Sequence, residues 1–335
     1  MKMRLAQALT DALGEGRVAV DEIGATVHPA DLPQLAKAME LAALHKKSVG
    51  VGLGADTTVR VDLGRLADVL HIDETSLLVH AQAGISVGEL QAQLADKGLT
   101  LGTLPAALSA RTLGAALAAP RPSEMTPRGP FLDACAAIDV VLPGGTLCAT
   151  HLAPRKASGP DLMHAVVGSR GQAGVIAGAW LRLSRVAPRR ENTAWQLRDD
   201  TAALAVARAF FDRGGRPAAL RILASLLWVE LDGVEDLVEA ERALLTELAE
   251  GKGGARRDPP DELPVITPGD VGHFLSQHEL AAAWAARPQG AWLSALSAAG
   301  GCLMASGKAP ILDEGAEGLR AALVTFLASS LQGSA

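Results

Sequence analysis

The segment from Ser158 to Leu183 constrains the fold of this chain more than any other. A short helical pattern runs into a turn that carries Gly168, Gly171 and Gly174, and an alternating strand pattern follows. Glycines at this spacing free the backbone for positive φ and let main-chain N–H groups approach a large flat or anionic group. Taken alone, however, the segment is better explained as a tight helix-to-strand connection.

A second glycine cluster lies upstream, in S-V-G-V-G-L-G-A-D, and contains Gly50, Gly52, Gly54 and Ala55. Gly50, Gly52 and Ala55 have the G-x-G-x-x-A spacing of a dinucleotide fingerprint, which has to open a helix. The residues that follow are β-branched and alternate, which is typical of a strand. A loop between two strands is therefore predicted, either as a cradle of N–H groups or as a plain turn, and a nicotinamide-dependent dehydrogenase is disfavoured.

A third cluster of small residues follows Thr112 and includes Gly114. Small residues in a run of helical length usually indicate close packing against another backbone. Because Ser109, Arg111 and Thr112 stand just ahead of the run, its amino end is also a candidate for holding an anion. Both interpretations remain open from this segment alone.

Composition excludes several classes of protein. The 335 residues are 49% hydrophobic and 20% charged, with a formal net charge of -6, and they include no tyrosine. Basic residues are scattered and aromatic residues are few, so a nucleic-acid-binding surface is not expected. No apolar window is long enough to span a membrane, and the three cysteines, Cys135, Cys148 and Cys302, lack metal-ligand spacing. We expect a cytoplasmic protein with neither a metal site nor an integral membrane segment.

The patterns divide the chain near Pro188, where charge interrupts the apolar periodicity. We expect one domain over residues 1–188 and a second over 189–335, with a flexible loop near 251–264. The predicted helices cover 31–45, 86–97, 201–213, 234–250, 275–286 and 314–331. The predicted strands cover 48–51, 57–63, 73–83, 136–142, 146–150, 193–197, 218–224 and 226–231, with one or two more between 291 and 306.

Four blocks of sequence occur in an order that resembles a known family. They are Val61 to Leu90, Thr112 to Ala118 (T-L-G-A-A-L-A), Asp139 to Leu147 (D-V-V-L-P-G-G-T-L) and Gly159 to Ile176. In this order the chain resembles the PCMH-type FAD-binding family, which includes p-cresol methylhydroxylase and vanillyl-alcohol oxidase. The resemblance covers residues 28–186 best and is greatest for the FAD-binding subunit of glycolate oxidase.

The resemblance implies an α+β fold, with a two-lobed FAD-binding domain followed by a smaller α+β cap domain of the ferredoxin-like type. FAD would lie between the lobes without a covalent bond, because neither His nor Cys occurs from Ser48 to Val69. Main-chain N–H groups would hold the pyrophosphate, and the later blocks would line the flavin and adenine. The residues carried over as cofactor-binding are Gly50, Gly52, Gly54, Ala55, Thr112, Gly114, Gly159, Asp161, Gly168, Gly171, Gly174, Val175 and Ile176.

The sequence also departs from the family pattern. Leu53 stands where the family commonly has a glycine, Ala115 replaces the second member of a glycine pair, and Pro160 replaces a frequent tyrosine. Each lost donor weakens cofactor binding by about 1 kcal/mol, and more where the acceptor is a phosphate. We therefore expect the binding of FAD to be weak or lost.

The resemblance therefore gives two functional expectations. The first is an FAD-linked oxidoreductase subunit that oxidises a 2-hydroxy acid or relays electrons, with flavoprotein and iron–sulfur partner subunits. The second is a flavin-free relative that acts as an interaction or scaffolding subunit. The sequence does not identify a general base or any other catalytic residue.

Overall fold

The computed structural model describes most of the first 259 residues and three later strands. The described residues are 2–22, 24–51, 58–121, 124, 126, 128–153, 161–223, 225–259, 270–276, 280, 283–285, 292–296 and 300–306, with the backbone alone at 2–3, 270–276, 292, 294–296 and 300–306. Helices and strands alternate along the chain and pack into two main hydrophobic cores. The predicted α+β fold is confirmed.

The elements before residue 189 surround the first core. In chain order they are α1 (Lys2–Leu13), β1 (Val18–Val20), β2 (Ala25–Val27), α2 (Leu32–Leu44), β3 (Val49–Val51), β4 (Val59–Val61), β5 (Val69–Asp73), β6 (Leu78–Gln82), α3 (Val87–Ala95), β7 (Leu99–Thr100), α4 (Ala106–Ser109), α5 (Leu113–Ala118), a 3-10 helix (Phe131–Ala134), β8 (Cys135–Val141), β9 (Leu147–Ala149), α6 (Leu162–Val166), β10 (Val175–Arg182) and β11 (Ser184–Arg185).

Two sheets form the two lobes of this first part. The smaller has the order β1-β2-β4-β3, and its strands β2, β4 and β3 run parallel. The larger is antiparallel, with the order β5-β6-β10-β8-β9. Buried side chains from Leu5 to Leu183 make one continuous cluster, so the two lobes share a core.

Local sequence signals explain where these helices begin. Asp31 caps α2 by accepting a hydrogen bond from the Gln34 N–H at 2.8 Å. Ser86 caps α3 in the same way, with the Glu89 N–H as donor at 3.1 Å. Each cap satisfies an N–H group that has no partner inside the helix. Both predicted helix starts are confirmed.

The second part of the chain begins with a ferredoxin-like unit. Its elements are β12 (Arg189–Gln196), α7 (Asp200–Asp212), β13 (Ala219–Leu223), β14 (Leu226–Gly233), α8 (Glu235–Glu250) and β15 (Ala255–Arg257). The sheet order β15-β12-β14-β13 matches that of the split βαβ fold. Three more strands, β16 (Asp270–Ser276), β17 (Trp292–Leu296) and β18 (Gly300–Ser306), extend it to seven in the order β13-β17-β18-β16.

Three local predictions are wrong. Residues 73–83 are not one strand, because the Asp73 carboxylate accepts hydrogen bonds from the Thr75 and Ser76 N–H groups and forms a turn between β5 and β6. Residues 255–257 are not loop but strand β15, which pairs with β12. Leu275 and Ser276 are not helical but end strand β16, which pairs with β18.

Two further predictions remain open. The helix predicted over 314–331 lies outside the described residues. The boundary between residues 188 and 189 stays a prediction, although the two main cores draw their buried side chains from residues 5–183 and 195–293.

Glu241 of α8 is a buried acid in the second core. Its Oε1 accepts the Arg216 N–H at 2.7 Å, and its Oε2 is buried without a partner among the described residues. Burial raises the pKa of Glu241, with a further contribution from Asp232, against the hydrogen bond from Arg216. A raised folded-state pKa means that Glu241 favours folding most at low pH, and that this contribution is lost as the pH rises through that pKa.

We therefore expect Glu241→Gln to stabilise the protein at pH 7. The amide keeps an acceptor for Arg216 and removes a poorly solvated charge, which raises the thermal midpoint by roughly 2–4 °C. The gain disappears below the pKa of an unfolded glutamate, because the wild-type side chain is then neutral in both states. Thermal unfolding between pH 3.5 and 8 checks this, with exposed Glu250→Gln as the control. A lower midpoint for Glu241→Gln at pH 7 would contradict it.

Candidate functional site

The upstream glycine cluster that begins at Gly50 follows a strand of the parallel sheet. Gly50 lies in β3 and pairs in register with Arg60 of β4, and β3 ends at Val51. Gly52, Gly54 and Ala55 lie outside the described residues. Ligands of open α/β sheets bind beyond the carboxyl ends of parallel strands, so the end of β3 is a candidate site.

The amino end of α5 is occupied by the protein itself. The Leu113 N–H donates to the Ile85 carbonyl at 2.8 Å, and the Gly114 N–H donates to the Ala83 carbonyl at 2.7 Å. The Ala115 N–H donates to the Thr112 hydroxyl at 3.4 Å. Because these three donors already have partners, the structure favours the close-packing interpretation, and the anion interpretation of this helix end stays a prediction.

Gly114 shows how close that packing is. A Cβ atom at this position would lie 2.9 Å from the Ala83 Cβ and 3.1 Å from the Ala83 carbonyl oxygen. Glycine is therefore required for α5 to cross the end of β6. A cofactor-binding role for Thr112 and Gly114 stays a prediction.

The glycine turn after α6 has the backbone conformation that its sequence predicts. Gly168, Gly171 and Gly174 all have positive φ, at 77°, 84° and 146°. The Gly168 N–H donates to the Leu117 carbonyl at 2.9 Å, and the Arg170 N–H donates to the Ala118 carbonyl at 2.8 Å. The turn is thereby attached to the carboxyl end of α5.

Gly171 lies against the end of β3, where the upstream glycine cluster begins. A Cβ atom there would lie 3.4 Å from the Val51 Cγ2 and 3.8 Å from the Val49 carbonyl oxygen. The Gly171 N–H has no partner among the described residues, although its neighbours in the turn donate within the protein. The end of β3, the end of α5 and this turn therefore meet, and they leave a main-chain donor at the junction.

Other predicted site residues serve the fold. A Cβ at Gly174 would lie 2.8 Å from the Val141 carbonyl oxygen, so glycine is needed there for packing against β8. Val175 and Ile176 are buried in the first core and pair with β8. Asp161 caps α6, accepting the Met163 N–H at 3.1 Å. Gly159 lies outside the described residues.

The sequence analysis missed an ion pair beside α5. Arg111 Nη1 lies 2.6 Å from both Glu124 carboxylate oxygens and donates to the Ala119 carbonyl at 2.9 Å. Its Nη2 donates to the Ala115 carbonyl. The Glu124 side chain is only 3% exposed. Arg111, which the sequence offered as an anion ligand, instead binds Glu124 and the carboxyl end of α5.

A cavity of about 330 Å³ lies between the two parts of the chain. Its wall includes Gln91, Thr103 and Arg128 from the first part and Arg190, Ala218 and Asp232 from the second. This volume is within the range of small-molecule sites. Sequence reasoning could not find the cavity, because its residues are widely separated along the chain and share no motif.

Charged groups of β13 and β14 lie close to this wall. Arg221 packs over the Trp228 ring, with its Cζ 4.7 Å from the ring centre. Burial lowers the pKa of Arg221, and the nearby charge of Glu230 opposes that shift. Arg190 Nε lies 2.9 Å from a carboxylate oxygen of the same Glu230. This side of the sheet thus carries paired charges.

Residues 24–151 match the family model described as an FAD binding domain. The chain is 32% identical over 127 residues to alkyldihydroxyacetonephosphate synthase of Caenorhabditis elegans, which covers 37% of this chain and 21% of that protein. It is 25% identical over 177 residues to an uncharacterized FAD-linked oxidoreductase of Escherichia coli (strain K12), which covers 52% of this chain and 36% of that protein. The chain thus spans only about a fifth to a third of these curated relatives.

A solved structure matches over nearly the whole chain. It is p-cresol methylhydroxylase with substrate bound, at a TM-score of 0.72 and 13% identity, covering 97% of this chain and 86% of that one. At this identity the likeness concerns the fold. The cap-like second part is therefore included in the structural match.

Two kinds of feature are absent from the described residues. None of their helices has the length and apolar character required to cross a membrane. Within the same residues, no group of three or more His, Cys, Asp or Glu side chains is arranged to hold a metal ion.

We expect Arg111→Ala to destabilise the first part by about 3–5 kcal/mol, because it removes the main partner of the buried Glu124 carboxylate and leaves only the more distant Arg121 guanidinium, at 3.9 Å. The double variant Arg111→Met/Glu124→Leu should recover much of that loss, since no buried charge remains. Urea unfolding of the two variants and the wild type measures the difference. A single variant as stable as the wild type would show that the pair does not hold the end of α5.

Proposed function

We propose that this chain is an FAD-linked oxidoreductase subunit of the PCMH-type FAD-binding family and that it acts on a small 2-hydroxy acid. FAD is the cofactor of this domain type, and when bound it supplies the two-electron acceptor of the reaction. The protein contributes the binding and orientation of the cofactor and the substrate.

The observation that carries the proposal is the meeting of three segments at the carboxyl end of β3. Gly171 contributes an N–H group that has no partner within the described residues, and the absence of its side chain leaves room beside Val51. A main-chain donor of this kind suits a phosphate or flavin oxygen and needs no basic side chain. Gly171 is therefore the described residue that we propose to donate to FAD, without a covalent bond, while Gly50 in β3 and Gly168 at the start of the turn position it.

The substrate part of the proposal has two supports. The order of motifs resembles the FAD-binding subunit of glycolate oxidase, and the wall of the cavity between the two parts of the chain includes Arg128, which has no carboxylate partner among the described residues. Guanidinium groups recognise carboxylates by paired hydrogen bonds. A short 2-hydroxy acid would fit a space of about 330 Å³.

Electron transfer would require a partner. Iron–sulfur clusters are usually held by four cysteines. The sequence has three cysteines without cluster spacing. We therefore propose that a separate iron–sulfur or flavoprotein subunit accepts the electrons.

A second candidate function is a flavin-free interaction or scaffolding subunit. The internal hydrogen bonding of the glycine turn favours it: the N–H groups of Ser169, Gln172 and Gly174 donate to carbonyls of the same turn and of α6. Those N–H groups stabilise the fold and are therefore not available to donate to a ligand. The two functions predict different amounts of bound flavin.

Purified protein should hold FAD through gel filtration, after reconstitution if necessary, and show the visible flavin spectrum. Anaerobic addition of glycolate or D-lactate should then bleach that absorbance, because the substrate reduces the flavin. Colourless protein that does not titrate with FAD would support the scaffolding function. Flavin that no 2-hydroxy acid reduces would contradict the proposed substrate.

Gly171→Ala should weaken FAD binding by tenfold or more. The new Cβ narrows the junction with Val51, and the positive φ of 84° is unfavourable for alanine by roughly 1 kcal/mol. Gly144→Ala is the matched control, because Gly144 also has positive φ, at 96°, but has no atom within 4 Å of its Cβ position. Flavin fluorescence titration compares the two. Equal FAD affinities would show that the turn is not part of the flavin site.

A further inference from the structure

Arg128 is a cation of the cavity wall whose charge is not paired. Its Nη1 donates to the Ser184 hydroxyl at 2.5 Å, and it has no carboxylate partner among the described residues. The Nε and Nη2 atoms of Arg128 likewise have no partners among the described residues. An arginine with two N–H faces available beside a cavity is equipped to receive an anion.

The surrounding wall holds Arg128 in place. A Cβ at Gly102 would lie 3.8 Å from the Arg128 Cζ, so the guanidinium packs against this glycine. Gln91 fixes the strand leading to Gly102, because its Oε1 accepts the Leu101 N–H at 2.8 Å and its Nε2 donates to the Thr100 hydroxyl at 2.7 Å. Such support reduces the entropy that binding would otherwise cost.

Arg190, across the cavity, is in a different electrostatic state. Its Nε lies 2.9 Å from Glu230 Oε1, and its Nη2 lies 4.0 Å from Asp232 Oδ2. The Glu230 side chain is only 8% exposed, so this carboxylate is poorly screened by water. Arg190 is therefore already neutralised by acids of its own sheet.

The cavity also contains an unsatisfied polar group. The Thr103 hydroxyl is buried and has no hydrogen-bond partner in the described part of the chain. A buried hydroxyl without a partner costs about 1–3 kcal/mol. A polar ligand that bonds to Thr103 would recover part of this cost.

We propose that Arg128 determines substrate specificity by anchoring one carboxylate in this cavity, while Glu230 and Asp232 prevent Arg190 from anchoring a second. The cavity then accepts monocarboxylates and rejects dicarboxylates of similar size, because a second carboxylate would face Asp232 without an unpaired cation from the described residues of the wall. The inference rests on the proposed function only for the choice of a 2-hydroxy acid. Carboxylate binding itself does not require flavin.

Calorimetric titration of the full chain with glycolate and with malonate, without added FAD, tests the proposal. We expect glycolate to bind at least tenfold more tightly than malonate. Arg128→Gln should weaken glycolate binding by at least tenfold, whereas exposed Arg65→Gln should leave it unchanged. Glycolate binding that is unaffected by Arg128→Gln, or no glycolate binding at all, would overturn the inference.

The acids of the sheet provide the second measurement. Asp232→Asn and Glu230→Gln each free Arg190 in part, so each should reduce the preference for glycolate over malonate by about tenfold, which corresponds to about 1.4 kcal/mol. Asp232 is more exposed than Glu230, so Asp232→Asn should disturb folding less than Glu230→Gln does. A preference that stays unchanged in both variants would overturn the assigned role of these acids.

Failure of this inference and failure of the proposed function are distinguishable. Protein that binds no FAD but still binds glycolate through Arg128 would support the inference and contradict the oxidoreductase. Protein that holds FAD but binds neither glycolate nor malonate would contradict the inference without contradicting the proposed flavin site.

Discussion

The carboxyl end of α5 is the constraint on which the candidate site depends. The last carbonyls of a helix have no partner inside it and must be satisfied from elsewhere. In α5 the carbonyls of Leu117 and Ala118 accept N–H groups of the glycine turn, and those of Ala115 and Ala119 accept the Arg111 guanidinium. One short helix thereby fixes both the glycine turn and the Arg111–Glu124 pair. The glycine turn then packs against the end of β3.

A second constraint is the attachment of the connecting segment to the first core. Strand β11 pairs with β7, and the Val186 N–H donates to the Gly98 carbonyl at 2.9 Å. Ser184 in the same segment accepts the hydrogen bond from Arg128. The chain thus enters the ferredoxin-like unit from a fixed position, and the cavity forms where this segment lies beside the loop that follows β7.

Local rules predicted the parts of the fold that depend on local sequence. The caps at Asp31 and Ser86 and the positive φ of Gly168, Gly171 and Gly174 could be read directly from the residues. Strand β15 could not, because an exposed edge strand with two arginines has no apolar alternation and exists only through its pairing with β12. The roles of Arg111 and Arg128 were also not predictable, because they depend on Glu124, Ser184 and a cavity wall that only the folded chain brings together.

The position of β10 bears on how the chain acquires its structure. This strand lies between β6 and β8, and it pairs Trp180 with His80 on one side and with Ala137 on the other. The larger sheet is therefore complete only after residues distant in sequence have paired, and such nonlocal pairing slows folding. The ferredoxin-like unit joins its strands through nearer neighbours. During synthesis, β5 and β6 emerge before β10, so the edge of β6 that later pairs with β10 has no partner strand in the meantime. The nascent chain is most prone to misassembly in this interval.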